Sequence, residues 1–434
     1  MVSTVPATHA PSKLTPNQIR GFWAAWGGWA LDGMDASIYA VVLVPALNDL
    51  LPRSGIAATQ ANIGYDGSVL LALFLFGWGL SMVWGPVADR FGRVRALMLT
   101  ILCYSLFTFL CALVTNIWQL AVLRVLCGIG IGGEQPIGGT FVAEEWPEDR
   151  RKMGAGYMHT GYYFGFFLAA LANYFIGANF GWRWMFALGG APALLVGWIR
   201  RGVRESAAWQ QNLGSAQRAP RMSEAFLKLF SRAYRRRTIV NSLLFLVSII
   251  GLWAGSIYVP TAVTQIALRQ GASRADAARL ASYATGLLSI GTITGCVMLP
   301  IVAERLGRRT GMAVYFVLMG MSIASAFGYV FYITPNALPL FFAMVFLLGL
   351  GGANFAMYTL WIPEQYATDC RGSAIGFTSS IGRFVGCAMV FLVGAGIAYF
   401  KTLGIPVAIT AVAFALGLLL LPLGEETRGK PLPV

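Results

Sequence analysis

The stretch Gly85–Arg95 reads GPVADRFGRVR, and a related stretch, PIVAERLGRRT, occupies Pro300–Thr310, 215 positions later. Each copy ends one long apolar run and begins another. Because lipid offers no water to backbone groups, apolar runs of about 20 residues predict membrane-spanning helices. A charged hairpin repeated at matching places in two apolar halves is typical of secondary transporters built from repeats. The repeat therefore predicts two copies of one helical bundle with a site between them.

The composition is that of a membrane protein. Of the 434 residues, 57% are hydrophobic and only 12% are charged, about half the charged fraction of soluble domains. We predict an all-α membrane protein with two six-helix halves at residues 1–200 and 238–434, joined by a central loop at 201–237. The twelve predicted spans are 21–48, 66–88, 95–114, 118–143, 153–177, 183–200, 238–267, 280–303, 310–332, 337–363, 371–399 and 403–423.

The basic residues that give the net charge of +14 are distributed unevenly between the two sides of the predicted membrane protein. With the Gly85–Arg95 hairpin in the cytoplasm, 24 Lys and Arg residues fall on that side and six on the other. Such asymmetry predicts a multi-pass protein of the cell inner (cytoplasmic) membrane with both termini in the cytoplasm. The lipid bilayer is therefore the expected partner of the basic surface, and nucleic acid is not.

Other functional classes find little support in the sequence. The six cysteines lie in or beside spans without the spacing of metal ligands, so we predict no metal site. A phosphate-binding loop is missing, which argues against ATP as the driving force. Since no nucleophile and base stand out, we expect no enzyme activity. We expect a monomer without a cofactor, driven by protons.

Helices 4 and 10 form a second repeat. With an offset of 220, Glu144 aligns with Glu364 and Arg151 aligns with Arg371. Features common to both halves are expected to serve folding and gating, whereas features of one half are better candidates for chemistry.

The hairpin stretches resemble the loop signature of the Major Facilitator Superfamily, found between helices 2 and 3 and again between helices 8 and 9. Arg124–Arg151 resembles helix 4 of its organic-acid and sugar symporters, and Gly181–Phe186 is similar to the start of their helix 6. LDGMD at Leu31–Asp35 resembles the signature of the aromatic acid/proton symporters, and the sialate and lactate symporters are similar. The resemblance implies a twelve-helix carrier of small acids. Sugar porters carry a Pro-Glu-Ser-Pro-Arg-like stretch after helix 6, but RESAAW at Arg204–Trp209 has neither proline.

Three acidic residues are predicted inside the spans. Asp32 and Asp35 lie near the middle of helix 1, three residues apart and thus on nearly the same face. Glu134 lies midway along helix 4. A charge at the bilayer centre costs about 2.5–3.5 kcal/mol, so each group must face water or a partner, or bind a proton. We predict that these three residues couple transport to protons; the alternative is structural pairing with neighbouring helices.

Two arginines are also predicted inside the spans. Arg383 is the sole deep charge of the second half, and its planar guanidinium matches a carboxylate. We predict that it binds an organic anion; the alternative partners are backbone carbonyls or Glu364. Arg124 either pairs with a helix 1 aspartate or contacts substrate. Further residues predicted to line the cavity are Gln135, Asn354, Tyr358, Trp361, Gln265 and Tyr39.

His159 lies a few residues into helix 5, near Tyr157, Tyr162 and Tyr163. Imidazole titrates close to physiological pH, which makes His159 a candidate pH sensor. A packed polar residue is the alternative.

The resemblance further implies a cytoplasmic latch. Asp89 ends helix 2, where the first turn of helix 11 can receive it through the helix dipole. Glu304, Arg305 and Arg308 are expected to act in the same way against helix 5. Such a latch biases a two-state equilibrium and does not bind cargo. The predicted gating residues are Asp89, Arg90, Arg93, Glu144, Arg151, Glu304, Arg305, Arg308, Glu364 and Arg371.

Together these features predict a secondary transporter that carries a small organic anion with protons by alternating access. An acid of the first half takes a proton from outside, the anion then docks on Arg383, and the loaded carrier closes and opens inward. Three alternatives stay open: a proton-coupled sugar or polyol symporter, a multidrug exporter, and a membrane sensor that does not transport.

The central loop holds one amphipathic stretch, Ser223–Tyr234. Its serine is in a position to cap a helix, and Phe226, Leu227 and Phe230 share a face. We expect this stretch to lie along the membrane surface.

Overall fold

The computed structural model describes residues 12–215 and 222–433. These two ranges are built from helices joined by short turns, with no strand in either. Three stretches lie outside the described residues. Two are the chain ends that were predicted to lie in the cytoplasm, residues 1–11 and Val434, and the third is residues 216–221 of the central loop.

The predicted all-α architecture of twelve helices, α1–α12, is confirmed. In the first half, α1 is Pro16–Arg53, α2 is Gln60–Leu80 with Ser81–Val83 and Trp84–Phe91, α3 is Arg93–Cys111, α4 is Ile117–Ile131 with Glu134–Glu145, α5 is Glu148–Ala172 with Asn173–Gly177 and Ala178–Phe180, and α6 is Trp182–Leu188 with Ala193–Gly202. The central loop contributes the short helices Ala207–Ser215 and Met222–Lys228.

The second half repeats this order. Helix α7 is Arg235–Ile250 with Gly251–Gly255, Ser256–Tyr258 and Val259–Arg269; α8 is 274–306 and α9 is 308–328 with Val330–Tyr332; α10 is Ala337–Gly352 with Asn354–Trp361 and Pro363–Gln365; α11 is Arg371–Phe400; α12 is Gly404–Ile409 with Val412–Leu420 and Leu421–Leu423.

The repeated hairpins turn at equivalent glycines. Gly92 has a φ of 107°, and Gly307 has a φ of 80° inside the otherwise continuous helix Arg274–Gly328. Only glycine adopts such angles at little cost. These glycines therefore separate α2 from α3 and α8 from α9, which lets each charged hairpin fold back on itself.

Most of the helices are long and apolar enough to cross a membrane. Among the described residues, nine segments meet this condition, and one of them, Arg279–Tyr332, contains both α8 and α9. Helix α5 is absent from this set because histidine, asparagine, tyrosines and glycines lower its mean hydropathy. Helix α6 is absent because it is interrupted after Leu188.

The buried apolar side chains form two large clusters. One lies within residues 24–199, and the other lies within residues 229–421 apart from Ala155. The predicted bounds of the two halves stay a prediction.

The halves are in backbone contact towards the end of the bundle that carries the 89–95 and 304–309 hairpins, here called the hairpin end. A Cβ on Gly85 of α2 would lie 2.6 Å from the Cα of Ser373 on α11. On the other side, a Cβ on Gly156 of α5 would lie 2.5 Å from the carbonyl oxygen of Cys296 on α8. Small residues therefore permit backbone contact between the halves along α2–α11 and α5–α8.

The amphipathic stretch of the central loop differs from its prediction. The helix is Met222–Lys228, so Ser223 lies inside it and does not cap it. The rings of Phe226 and Phe230 lie 5.4 Å and 5.2 Å from that of Phe377 on α11. Packing against α11 thus holds the stretch on the bundle, an effect that the sequence periodicity does not contain.

Candidate functional site

Five charged residues meet inside the bundle, here called the central cluster. Asp32 and Asp35 come from α1, Arg124 and Glu134 from α4, and Arg383 from α11, and all five are buried. Asp32 lies close enough to interact electrostatically with Asp35, Glu134 and Arg383. Asp35 interacts in the same way with Arg124. The fold thus brings the predicted proton-coupling acids and the predicted anion-binding arginines together.

The acids of the central cluster have few partners. No hydrogen bond from any described residue reaches the carboxyl oxygens of Asp32, and the hydroxyl of Thr108 is the only described side-chain donor close to the carboxyl of Asp35. The hydroxyl of Thr100 donates to Oε1 of Glu134 at 2.8 Å. A Cβ on Gly28 would lie 2.4 Å from Oε2 of Glu134, so a glycine on α1 makes room for this carboxyl. Buried carboxylates without partners are costly, and a bound proton or a cationic partner relieves that cost.

Arg383 is held at the interface of the halves. Its Nη2 donates to Oε1 of Gln135 at 3.1 Å. The guanidinium carbon lies 4.6 Å from the ring centroid of Trp78 and 5.9 Å from that of Phe245. Within the described ranges, Nη1 of Arg383 and Nε2 of Gln135 have no acceptor. One donor from each half is therefore available to an anionic oxygen.

Arg124 lies between two aromatic rings. Its guanidinium carbon is 4.2 Å from the ring centroid of Tyr39 and 4.5 Å from that of Phe74. All three guanidinium nitrogens lack an acceptor in the part of the chain that the structure describes. The hydroxyl of Tyr39 donates to the carbonyl of Gly67 at 3.2 Å. Cation–π contact thus supports the arginine without neutralising its charge.

Two predicted cavity residues lie in α10. Nδ2 of Asn354 donates to the carbonyl of Gly351 at 2.8 Å, where the helix is interrupted. The hydroxyl of Tyr358 is 3.0 Å from that of Ser248, and its ring centroid is 4.8 Å from that of Phe245. Tyr358 is therefore linked to the aromatic surroundings of Arg383.

The structure does not bring two other predicted cavity residues to the central cluster. Trp361 lies at the hairpin end, where its indole nitrogen donates to the carbonyl of Glu425 at 2.7 Å. Its prediction as a cavity residue is wrong because the C-terminal segment covers it. Gln265 is exposed near the end of α7.

His159 is buried on α5. Its ring centroid lies 5.6 Å from that of Trp29, and its Nδ1 is 3.4 Å from the hydroxyl oxygen of Thr359. These contacts join α1, α5 and α10 around the imidazole. Its role as a pH sensor stays a prediction.

At the hairpin end, Asp89 joins α2 to α11. Its carboxylate accepts hydrogen bonds from the backbone N–H groups of Gly372 at 3.0 Å and Ser373 at 2.8 Å. The hydroxyl of Ser373 donates a third bond at 2.6 Å. This is the arrangement expected for an acid at the N-terminus of a helix.

Glu144 and Glu364 organise the rest of the hairpin end. Glu144 receives two hydrogen bonds from Arg93, at 3.1 Å and 2.8 Å, and one from Arg371 of the other half at 2.8 Å. Glu364 receives two from Arg308, at 2.9 Å and 2.7 Å. The predicted alternative in which Glu364 holds Arg383 is therefore wrong, because Glu364 is bound to Arg308.

The remaining predicted gating residues make weaker or more local contacts. Glu304 pairs with Lys152 of α5, and both side chains are partly exposed. Nε of Arg151 donates to the carbonyl of Ala143 at 3.0 Å. Arg90 lies over the ring of its neighbour Phe91, and the carbonyl of Arg305 accepts a bond from the side chain of Arg428.

Comparison with known proteins gives the family. Residues 25–390 match the sequence profile of the Major Facilitator Superfamily. The chain belongs to this superfamily.

Its relatives and structural neighbours in the superfamily cover nearly the whole chain. It is 30% identical to the "Probable 4-methylmuconolactone transporter" of Cupriavidus pinatubonensis over 425 residues, which are 96% of this chain and 92% of that protein. It is 28% identical to the "Niacin transporter NiaP" of Acinetobacter baylyi, covering 94% of each chain. The structure of the proton:xylose symporter XylE shares the fold with a TM-score of 0.78 and 18% identity, covering 96% of this chain and 98% of that one. The protein is thus a membrane transporter and not an enzyme.

In this member of the superfamily, sequence reasoning missed four residues of the hairpin end. Glu205 accepts the backbone N–H groups of Arg93 at 2.6 Å and Val94 at 3.0 Å, at the start of α3. Glu426 accepts the backbone N–H groups of Arg308 and Arg309 at the start of α9. The hydroxyls of Ser206 and Thr427 donate to Glu144 and Glu364, at 2.6 Å and 2.5 Å. The available signal was the Glu-Ser pair after the first half and the Glu-Thr pair after the second.

Glu205 and Glu426, the two acids that cap helices at the hairpin end, differ in the direction in which their pKa is shifted. Burial raises the pKa of Glu205, and hydrogen bonds from the backbone of Val94, Ser206 and Arg93 oppose this only in part. Burial also acts on Glu426, but backbone hydrogen bonds from Arg308, Arg309 and Arg428 outweigh it and hold its pKa below the usual value. The cap on α9 is therefore the more firmly ionised of the two.

Proposed function

We propose that the protein carries a small organic carboxylate across the membrane together with a proton, by alternating access. The observation that carries this proposal is the central cluster, in which Asp32, whose carboxyl oxygens have no partner among the described residues, lies near Arg383, whose Nη1 has no described acceptor. The relatives named as transporters of methylmuconolactone and niacin support a small organic acid as substrate.

The carboxylate is proposed to bind Arg383. Nη1 of this arginine and Nε2 of Gln135 are buried donors without acceptors among the described residues. A carboxylate presents two oxygens, so it satisfies both donors at once. The aromatic rings of Trp78 and Phe245 keep the guanidinium desolvated, which strengthens its attraction to an anion.

The proton is proposed to bind Asp32, with Asp35 and Glu134 nearby. These carboxyls crowd together away from water, and neutralising one of them removes both a repulsion and a desolvation penalty. Asp32 also lies near Arg383, so its charge competes with that of a bound anion. Protonating Asp32 therefore favours anion binding, which is the coupling that a symporter needs.

The hairpin end is proposed to face the cytoplasm of a bacterial inner membrane, as the distribution of Lys and Arg predicts. The halves are joined at that end through Asp89, Glu144 and Arg371. On this proposal the described conformation is closed to the cytoplasm. The expectations of a monomer, of no cofactor and of no nucleic-acid partner stay predictions.

The proposal is tested by a ligand panel. Bound ligand stabilises a fold by mass action, so a transported acid raises the melting temperature of the purified protein. The panel comprises benzoate, nicotinate, lactate and sialate, with xylose, glucose and a polyol as the neutral set. Stabilisation by an acid that also accumulates in proteoliposomes under an inward pH gradient supports the proposal. Response to the neutral set alone would replace it by a sugar or polyol symporter.

Replacing Asp89 by asparagine is expected to open the hairpin end. The change removes the charge that three donors of α11 bind, and hydrogen bonds to a charged group contribute about 1.5–3 kcal/mol. Cys370, fully buried directly before α11, is the native reporter. We expect its alkylation by a maleimide to become about tenfold faster, as measured by mass spectrometry.

The matched control for Asp89 is Glu304→Gln, because Glu304 occupies the equivalent place in the second hairpin. Its pair with Lys152 is partly exposed, with 58% of the Glu304 side chain accessible, and such pairs contribute little. We expect it to change Cys370 alkylation by less than about twofold. Equal acceleration by both variants would contradict a specific latch at Asp89.

A further inference from the structure

The central cluster differs from the hairpin end in how its charges are balanced. At the hairpin end, Arg93, Arg308 and Arg371 each bind a glutamate at hydrogen-bond distance. The central cluster holds three acids and two arginines, and none of the five makes such a bond to another within the described ranges. Its charges are therefore paired loosely enough to change partners.

We propose that the central cluster is electrically neutral whenever the carrier reorients, so that one proton accompanies each monocarboxylate and the cycle moves no net charge. This inference rests on the proposed function. In the empty carrier, Asp32 offsets Arg383, Asp35 offsets Arg124, and Glu134 holds a proton. Three acids with one proton and two arginines then sum to zero.

In the loaded carrier the substrate carboxylate replaces Asp32 as the counter-charge of Arg383. Asp32 takes a proton from the side on which the substrate entered and returns it on the other side, where the substrate leaves. One negative and one positive charge have then crossed together. Asp35, Arg124 and Glu134 keep their states throughout, so the proton travels on Asp32 alone.

The other titratable groups that face the cluster do not alter this count. Tyr39 of α1, Tyr104 of α3 and Tyr162 of α5 are phenols and Cys111 of α3 is a thiol, and both kinds of group are neutral at physiological pH. His159 of α5 is buried between Trp29 and the hydroxyl of Thr359, with no described carboxylate to offset a charge on its ring. An uncompensated charge in the membrane interior is penalised in every reorientation, which is why neutrality governs the cycle.

The test is a measurement of stoichiometry in proteoliposomes. The probe is the monocarboxylate of the panel that stabilises the protein most. An outward anion gradient is imposed, and we measure the pH gradient that stops the net anion flux. The measurement is made at two membrane potentials, each clamped with potassium and valinomycin. We expect about one pH unit to balance a tenfold anion gradient, with no shift when the potential changes by about 60 mV.

The outcomes separate this inference from the proposed function. If net flux stops at about half a pH unit for a tenfold anion gradient, and this value shifts with the membrane potential, then two protons accompany each anion. That result would overturn neutrality but leave proton symport intact. Flux that no pH gradient opposes would overturn the proposed function itself.

A pair of variants gives an independent test. Arg124→Gln leaves Asp35 without its counter-charge, so Asp35 is either uncompensated or holds a proton of its own. At alkaline pH, where it is ionised, we expect net uptake to fall about 100-fold, because one uncompensated charge in the membrane slows reorientation by about that factor. Arg124→Gln with Asp35→Asn removes both charges, and we expect it to regain at least about tenfold over the single variant. Uptake is normalised to folded protein by thermal melting. A double variant that is folded yet no faster than the single one would contradict pairing of Arg124 with Asp35.

Discussion

Asp32→Asn is expected to abolish accumulation driven by a pH gradient while leaving exchange of substrate across the membrane. Asparagine cannot carry the proton, so the gradient no longer drives uptake. It also leaves Arg383 without its nearby carboxylate in the empty carrier, which makes the empty return step unfavourable. With substrate bound at Arg383 that charge is offset, and the loaded carrier still reorients in both directions.

Two assays on one preparation separate these effects. Net uptake under an inward pH gradient is expected to fall by at least about 100-fold, because one uncompensated charge in the membrane slows reorientation by about that factor. Exchange of labelled for unlabelled substrate at equal pH is expected to persist. Asp66→Asn is the control, because Asp66 lies on α2 in a partly exposed position outside the central cluster. Unchanged accumulation in Asp32→Asn would remove Asp32 as the proton carrier.

The twelve-helix fold and the membership of the central cluster followed from features that a sequence carries directly. The repeated hairpins give the two-fold plan, since Gly92 and Gly307 must each turn the chain. Depth within a span can be counted along a helix, and this count predicted that Asp32, Glu134 and Arg383 each lie inside the membrane. The packing of α1, α4 and α11 then brings them together.

The residues that were misplaced or missed depend on contacts between distant segments. Trp361 lies only three residues beyond Tyr358, yet its indole binds the carbonyl of Glu425 while Tyr358 binds Ser248. Glu205 and Glu426 act by capping helices more than 100 residues earlier in the chain. Periodicity and hydropathy describe one helix at a time, and neither contains these pairings.

Arg383→Ala is expected to lose binding of the acid. The variant removes the only arginine of the second half inside the central cluster, together with the unpartnered donor Nη1. Truncating one member of a buried, hydrogen-bonded charge pair costs about 2–5 kcal/mol, so affinity should fall at least about 30-fold. Calorimetric titration with the acid that stabilises the unmodified protein measures this directly.

Two further variants distinguish a carboxylate anchor from a general structural role. Arg383→Lys keeps the charge but not the planar fork, so we expect an intermediate affinity. Gln135→Leu keeps Arg383 and removes a neutral donor, which contributes about 0.5–1.5 kcal/mol, so we expect a loss of about three- to tenfold. The order of affinities is then unmodified protein, Gln135→Leu, Arg383→Lys and Arg383→Ala. If Arg383→Lys and Arg383→Ala both bound the acid normally, the anion would have to be held elsewhere, and Arg124, which also lacks a hydrogen-bond acceptor among the described residues, would be the remaining buried cation of the central cluster.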